Sequence, residues 1–267
     1  MDIDSPIRAE AHRASTFGTP QPPCTTHASH ISHSPLLHRT SFITSTTMAL
    51  NPRRTALLVC DMQDRFRNAI FGFDNIAKTV ARMVRMAAIL EMKVITTEQN
   101  PKALGATVPE LGIDKLPAHL NLGTHSKTLF SMFTPEVCKA LGGRYANWHD
   151  ASAVIDPEGI DRVIIVGIES HVCVFQTAMD AAGRNNGNGP RPIVLADAVS
   201  SINPQEIAVS LDRMRHSGVD VATSESVLFQ LMGDASHPRF REFSKLVKEE
   251  KDNTSGTLQK MIGAVPI

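Results

Sequence analysis

From Thr55 onward the chain alternates between two hydrophobic periods, and this alternation constrains its fold more than any other feature. Six short apolar or β-branched runs read as strands: Thr55–Cys60, Lys93–Thr97, a stretch near Leu122–His125, Val163–Ile168, Pro192–Ala196 and Val219–Thr223. Helical patterns lie between and after them. Asp74-Asn75 can cap a helix running to about Glu91, with Ile76, Val80, Met83, Val84, Ala87 and Leu90 on one face. Thr134-Pro135 opens a second helix, residues 171–182 form a third, and Asn203-Pro204 caps a fourth that carries Ile207, Val209, Leu211 and Met214. Ser224 caps a short helix, and an amphipathic one runs from about Pro238 to Lys248. The run Thr55-Ala56-Leu57-Leu58-Val59-Cys60 shows no polar alternation, so its strand is buried on both faces. Repeated strand–helix units imply an α/β fold: a parallel sheet with right-handed crossovers and helices on both faces, in one three-layer αβα domain.

The expected domain spans residues 48–250, with a C-terminal tail over 251–267. Residues 1–47 differ in character. They are rich in Ser, Thr, Pro and His, and no acid follows Glu10 until Asp61. Without apolar periodicity such a segment cannot repay the entropy of ordering. It reads as a disordered or targeting extension, or as sequence ahead of a start at Met48. Gly183-Arg184-Asn185-Asn186-Gly187-Asn188-Gly189-Pro190 is a surface loop and not a phosphate loop, because it lacks Lys-Ser/Thr and precedes a strand.

Charge narrows the partners. Lys+Arg and Asp+Glu both number 27, so nothing draws the chain to nucleic acid or an anionic membrane. No apolar run approaches the roughly 20 residues of a transmembrane helix. Four cysteines in 267 residues make no disulfide framework. A reducing compartment is expected, cytoplasmic, or mitochondrial if the extension is a transit peptide.

In an open parallel sheet, ligands bind beyond the carboxyl ends of the strands. Asp61 follows the first strand, Lys127 the third, and Cys173 the fourth, in the turn that opens a helix. A helix N-terminus and a nearby ammonium favour a thiolate, and a carboxylate can take the thiol proton and return it to a leaving amine. Backbone N–H groups of that turn can bind an oxyanion. Taken singly, each residue is explained by packing or by an ordinary surface charge. Their meeting at one sheet edge weakens that explanation. Cys60 competes as nucleophile, but neighbouring strand residues face opposite ways. If Asp61 faces the site, Cys60 is expected to face away under a helix. Cys138 reads as packing.

Three segments, Cys60-Asp61-Met62-Gln63-Asp64-Arg65-Phe66, Lys127-Thr128-Leu129-Phe130-Ser131-Met132-Phe133 and Gly167-Ile168-Glu169-Ser170-His171-Val172-Cys173-Val174, together resemble the isochorismatase-like cysteine hydrolases, in particular the eukaryotic isochorismatase-domain-containing proteins. Leu195–Ser201 and Thr223–Phe229 also resemble that branch. The resemblance implies a Rossmann-like six-stranded sheet of order 3-2-1-4-5-6. It implies an Asp61–Lys127–Cys173 triad, a cis peptide at Ile168–Glu169, and an oxyanion hole from the N–H groups of Glu169 and Cys173. Members that cleave isochorismate lack the cysteine, so Cys173 argues for hydrolysis of an amide-like bond. The nicotinamidase branch carries an Asp-x-His metal motif where this chain has Glu98-Gln99-Asn100-Pro101, so no metal and no cofactor are expected. Gln63, Phe66, Phe130 and Phe133 are candidates for the substrate pocket, with ordinary core as the alternative for the three phenylalanines. The expected protein is a homo-oligomeric hydrolase of a small-molecule substrate, with no nucleic-acid or membrane partner. Two other classes stay open: an idle binding or regulatory protein on the same scaffold, and a redox-responsive thiol protein using Cys173.

Overall fold

The strand runs anticipated in the sequence pair side by side. The computed structural model describes residues 50–142, 159–183 and 189–263. The expected extension over 1–47 and most of the expected loop over 183–190, at residues 184–188, lie outside the described residues. The strands are β1 (Thr55–Cys60), β2 (Lys93–Gln99), β3 (Asn121–Lys127), β4 (Arg162–Ile168), β5 (Arg191–Ser200) and β6 (Asp220–Ala222). All neighbours are parallel, in the order β3-β2-β1-β4-β5-β6. β1 is central, and all six of its residues are buried, as an unbroken apolar run requires. The strand order reverses between β1 and β4, which opens a crevice beyond their carboxyl ends.

The helices are α1 (Phe73–Leu90), α2 (Pro101–Leu104), α3 (Pro135–Ala140), α4 (Cys173–Gly183), α5 (Pro204–His216), α6 (Ser224–Met232), α7 (Phe240–Glu249) and α8 (Lys251–Met261). α1 buries every apolar position the periodicity selects: Ile76, Val80, Met83, Val84, Ala87 and Leu90. Each large one contributes roughly 1.5–3 kcal/mol on burial. Its start differs from expectation. The cap is Gly72 in the left-handed region, and Asp74 lies inside the first turn, paired with Arg67 Nη1 at 2.6 Å. Thr134 does cap α3, accepting from the Val137 N–H at 3.4 Å, with Pro135 in the first turn.

Three further expectations need correction. Lys127 is the last residue of β3 and does not follow it. Val209 is 57 % exposed, so the apolar face of α5 is narrower than its sequence suggests. Residues 251–261 are not a tail. They form α8, which packs on α1 and buries Thr254, Thr257 and Met261. Among the described residues, no helix is long and apolar enough to cross a membrane.

Candidate active site

Gly167 sets how closely the ends of β1 and β4 can approach. It pairs with Cys60, has φ +111°, and a Cβ there would stand 2.1 Å from the Cys60 carbonyl oxygen. Only glycine fits this position. Beyond it the Ile168–Glu169 peptide is cis, and the chain turns into α4 with Cys173 as first residue. Val172 and Val174 N–H both donate to Glu169 O, at 3.1 Å each. Among the described residues, no acceptor takes the N–H of Glu169 or of Cys173.

β1 ends in its own turn. Asp61 has φ +51°, a left-handed conformation that aspartate tolerates, and its carbonyl accepts from Gln63 N–H at 2.8 Å. Its carboxylate is 2 % exposed. Thr97 Oγ1 donates to Oδ1 at 2.8 Å, and Lys127 Nζ donates to Oδ2 at 2.6 Å. A carboxylate has about four lone-pair directions, so acceptor capacity remains on Asp61.

Lys127 is fully committed. Besides Asp61, its ammonium donates to Gln99 Oε1 at 2.8 Å, Leu129 O at 3.1 Å and Phe130 O at 3.0 Å. Three N–H groups already share four acceptors, which leaves none for a ligand. Its influence is therefore electrostatic. Burial pulls the ammonium down, but the fields of Cys60, Asp61 and Cys173 and the Asp61 hydrogen bond outweigh it, and its pKa ends above the ordinary lysine value. The same interactions bring all four residues into one cluster. Asp61, Lys127 and Cys173 meet there as their strand-end positions suggest.

Cys60 breaks the expectation. It does not face away. Burial, its interaction with the Cys173 side chain and the Asp61 charge push its thiol well above the ordinary thiol range against the pull of Lys127. Strand alternation applies only while the backbone stays extended, and it stops at Asp61.

The remaining candidates separate. The Gln63 amide is buried and braces two loops: Nε2 donates to Gln99 O at 3.1 Å and Gly105 O at 2.7 Å, while Oε1 accepts from Gln99 N–H at 2.8 Å. Phe133 is buried in the core, Phe66 is half-buried, and Phe130 is 49 % exposed. The segment after Lys127 is tied to α4, since Met132 N–H donates to Thr177 Oγ1 at 2.9 Å and Thr177 Oγ1 donates to Cys173 O at 2.7 Å.

Sequence reading misses Thr97 and Gln99, which hold the charged pair. It treats the Glu98-Gln99 position only as the place where a metal motif is absent. There Gln99 supports Lys127, and Glu98 Oε1 accepts from Thr107 N–H at 2.6 Å and Thr107 Oγ1 at 2.8 Å. Among the described residues, no group of three or more His, Cys, Asp or Glu side chains is arranged to hold a metal ion. A serine–histidine chain flanks the turn: Ser201 Oγ lies 2.6 Å from Ser170 Oγ and 2.9 Å from His171 Nδ1. A cavity of about 430 Å³ lies elsewhere, between α5, β6 and the end of α8, and shares no lining residue with the cluster.

The isochorismatase domain family matches residues 55–226. The chain belongs to the isochorismatase family. It is 42 % identical over 200 residues to isochorismatase domain-containing protein 2 of Xenopus laevis, covering 75 % of this chain and 86 % of that one. Among solved structures, the Caenorhabditis elegans protein described as MAR1 ribonuclease superposes with a TM-score of 0.64 at 36 % identity, covering 75 % of this chain and 92 % of its own. The ycaC gene product of Escherichia coli, described as an octameric hydrolase of unknown specificity, shares the fold at 18 % identity and a TM-score of 0.56, covering 81 % of this chain and 92 % of that one.

Proposed function

We propose that this isochorismatase-family chain is a cysteine hydrolase of a small amide-like substrate, working through an acyl-thioester on Cys173. One observation supports this most: a buried Asp61–Lys127 pair in the same cluster as a thiol at the first residue of α4. Asp61 retains acceptor capacity and takes the thiol proton as Cys173 Sγ attacks the substrate carbonyl. The N–H groups of Glu169 and Cys173 receive the developing oxyanion. Asp61 then gives its proton to the leaving amine, and the C–N bond breaks. Water enters, loses a proton to Asp61 and attacks the thioester carbonyl. The carboxylic acid leaves, and the proton returns to Cys173. Lys127 donates no proton. Its fixed positive charge balances the thiolate while its four acceptors hold it in place.

The test is a screen of small amides, ureides and carbamoyl compounds beside RNA, the substrate class raised by the description of the nematode relative. Wild type and Cys173→Ala are assayed together. Amide turnover that disappears in the folded variant is expected. RNA cleavage without amide turnover, or amide turnover that persists in Cys173→Ala, overturns the reading.

A further inference from the structure

The hydrolase mechanism uses one sulfur, yet two lie together in the site. Cys60 ends β1 opposite Gly167 of β4, whose missing side chain lets the strands close, and Cys173 opens the helix six residues later. Both are buried free thiols, 0 % and 7 % exposed, and their side chains interact. Cys138, the other described cysteine, sits in α3 and interacts with other groups.

We propose that Cys60 is a resolving thiol for Cys173: a hydroperoxide oxidises Cys173, and Cys60 closes a Cys60–Cys173 disulfide that switches the site off reversibly. The proposal rests on Cys173 being the reactive thiol of the reading above. The two sulfurs differ in reactivity. Burial, Cys173 and Asp61 hold Cys60 protonated, so Cys60 is a poor first nucleophile. Cys173 stands at the start of α4 and reacts first.

The steps balance. The Cys173 thiolate attacks the peroxide, the O–O bond breaks, and the sulfur loses two electrons to become a sulfenic acid while the peroxide, taking one proton, leaves as an alcohol or water. Cys173 then carries no negative charge, so part of what held the Cys60 proton is gone. Asp61 accepts that proton, and Lys127 balances the new thiolate. Cys60 Sγ attacks Cys173 Sγ, the S–O bond breaks, and hydroxide takes the proton from Asp61 and leaves as water. The bridge brings the two sulfurs to about 2.05 Å. A dithiol reductant returns both thiols. Without a partner thiol, the sulfenic acid would go on to the irreversible sulfinic acid.

The experiment treats full-length wild type and Cys60→Ser with a small molar excess of hydrogen peroxide, followed by non-reducing peptide mass spectrometry and iodoacetamide labelling before and after dithiothreitol. In wild type the expected product is one cross-linked peptide pair joining Cys60 to Cys173, with Cys173 labelling lost and then restored by the dithiol. In Cys60→Ser, Cys173 should accumulate two-oxygen adducts that the dithiol does not reverse. If that variant fails to fold, the wild-type cross-link alone decides. A bridge to Cys24 or Cys138 overturns the proposal, as does sulfinic acid on wild-type Cys173 with no bridge. The readout needs no turnover. A bridge in a chain that hydrolyses no amide counts against the hydrolase reading alone, and Cys173-dependent turnover without a bridge counts against the resolving role alone.

Discussion

Among the described residues two ion pairs are buried, and one of them belongs to the candidate active site. Lys127 and Asp61 meet at 2.6 Å at the open edge of the sheet. Arg82 of α1 and Asp197 of β5 stand 3.9 Å apart and are equally enclosed, with side chains 3 % and 1 % exposed. Their surroundings differ. Arg82 also donates to the hydroxyls of Ser224 and Thr254, and Asp197 accepts from the N–H and hydroxyl of Ser224. That network ties α1, β5, α6 and α8 together, and every partner is a fixed protein group. Lys127 and Asp61 instead interact with two thiols, those of Cys60 and Cys173. The difference shows in the bases. Burial lowers the Arg82 pKa despite the fields of Asp197, Glu225 and Glu250, whereas around Lys127 the anionic groups outweigh burial. Buried charge therefore does not mark a site by itself.

The two buried pairs should differ most in their effect on activity. On a substrate found by the screen, Asp61→Asn should lower turnover by about 10²–10⁴-fold, the usual worth of general acid–base catalysis. Its melting temperature should change less than that of an Arg82 variant, because Lys127 keeps three neutral acceptors. Near-normal turnover in folded Asp61→Asn would remove Asp61 from the chemistry.

Arg82→Met should show the opposite pattern. It leaves Asp197 buried without its cation, and breaking such a pair costs about 3–5 kcal/mol. Chemical denaturation would measure the loss, with the iodoacetamide rate of Cys173 expected to stay at the wild-type value. A changed Cys173 rate would mean that the two pairs are coupled. The double variant Arg82→Met/Asp197→Leu should recover more than half of the loss, because the uncompensated charge is gone. Recovery should stop short of wild type, since the Ser224 N–H loses its acceptor.

The same contrast explains what could be read from sequence. The grouping of Asp61, Lys127 and Cys173 was legible because the carboxyl ends of parallel strands share one edge of the sheet and chemically matched residues stood at three of them. The sheet was legible for the same reason, through long apolar runs such as Thr55–Cys60. Cys60 was not, since the alternation that placed it on the far face fails where Asp61 enters the left-handed region. α8 was not either. Lys251-Asp252-Asn253-Thr254-Ser255-Gly256-Thr257-Leu258-Gln259-Lys260-Met261 has no apolar stripe, and it docks by giving Thr254 to Arg82 and burying Met261 under Gly72. Periodicity detects helices that bury hydrocarbon, and it misses a helix held by a hydroxyl on a buried guanidinium.

The smallest expected effect is on stability at high pH, where the two bases should act with opposite signs. Lys127 has a folded pKa above its unfolded value. Its contribution is fully present below the ordinary lysine pKa of about 10.4 and is lost as pH rises through the folded value. Across that window the native state holds a proton that the unfolded chain has released, so stability falls with pH. Arg82 has a folded pKa below its unfolded value. Between the two, the unfolded chain holds the extra proton, and stability rises with pH. Subtracting the denaturation curves of Lys127→Met and Arg82→Met from wild type at stepped alkaline pH isolates each residue from the other titrating lysines and tyrosine. The wild type minus Lys127→Met difference should shrink above pH ~10.4, as the bound proton is lost. The wild type minus Arg82→Met difference should stay level or grow. A Lys127 difference that stays flat across the lysine range would mean that the thiols and Asp61 do not act on the ammonium as a group, and the distinction between the two buried pairs would then rest on activity alone.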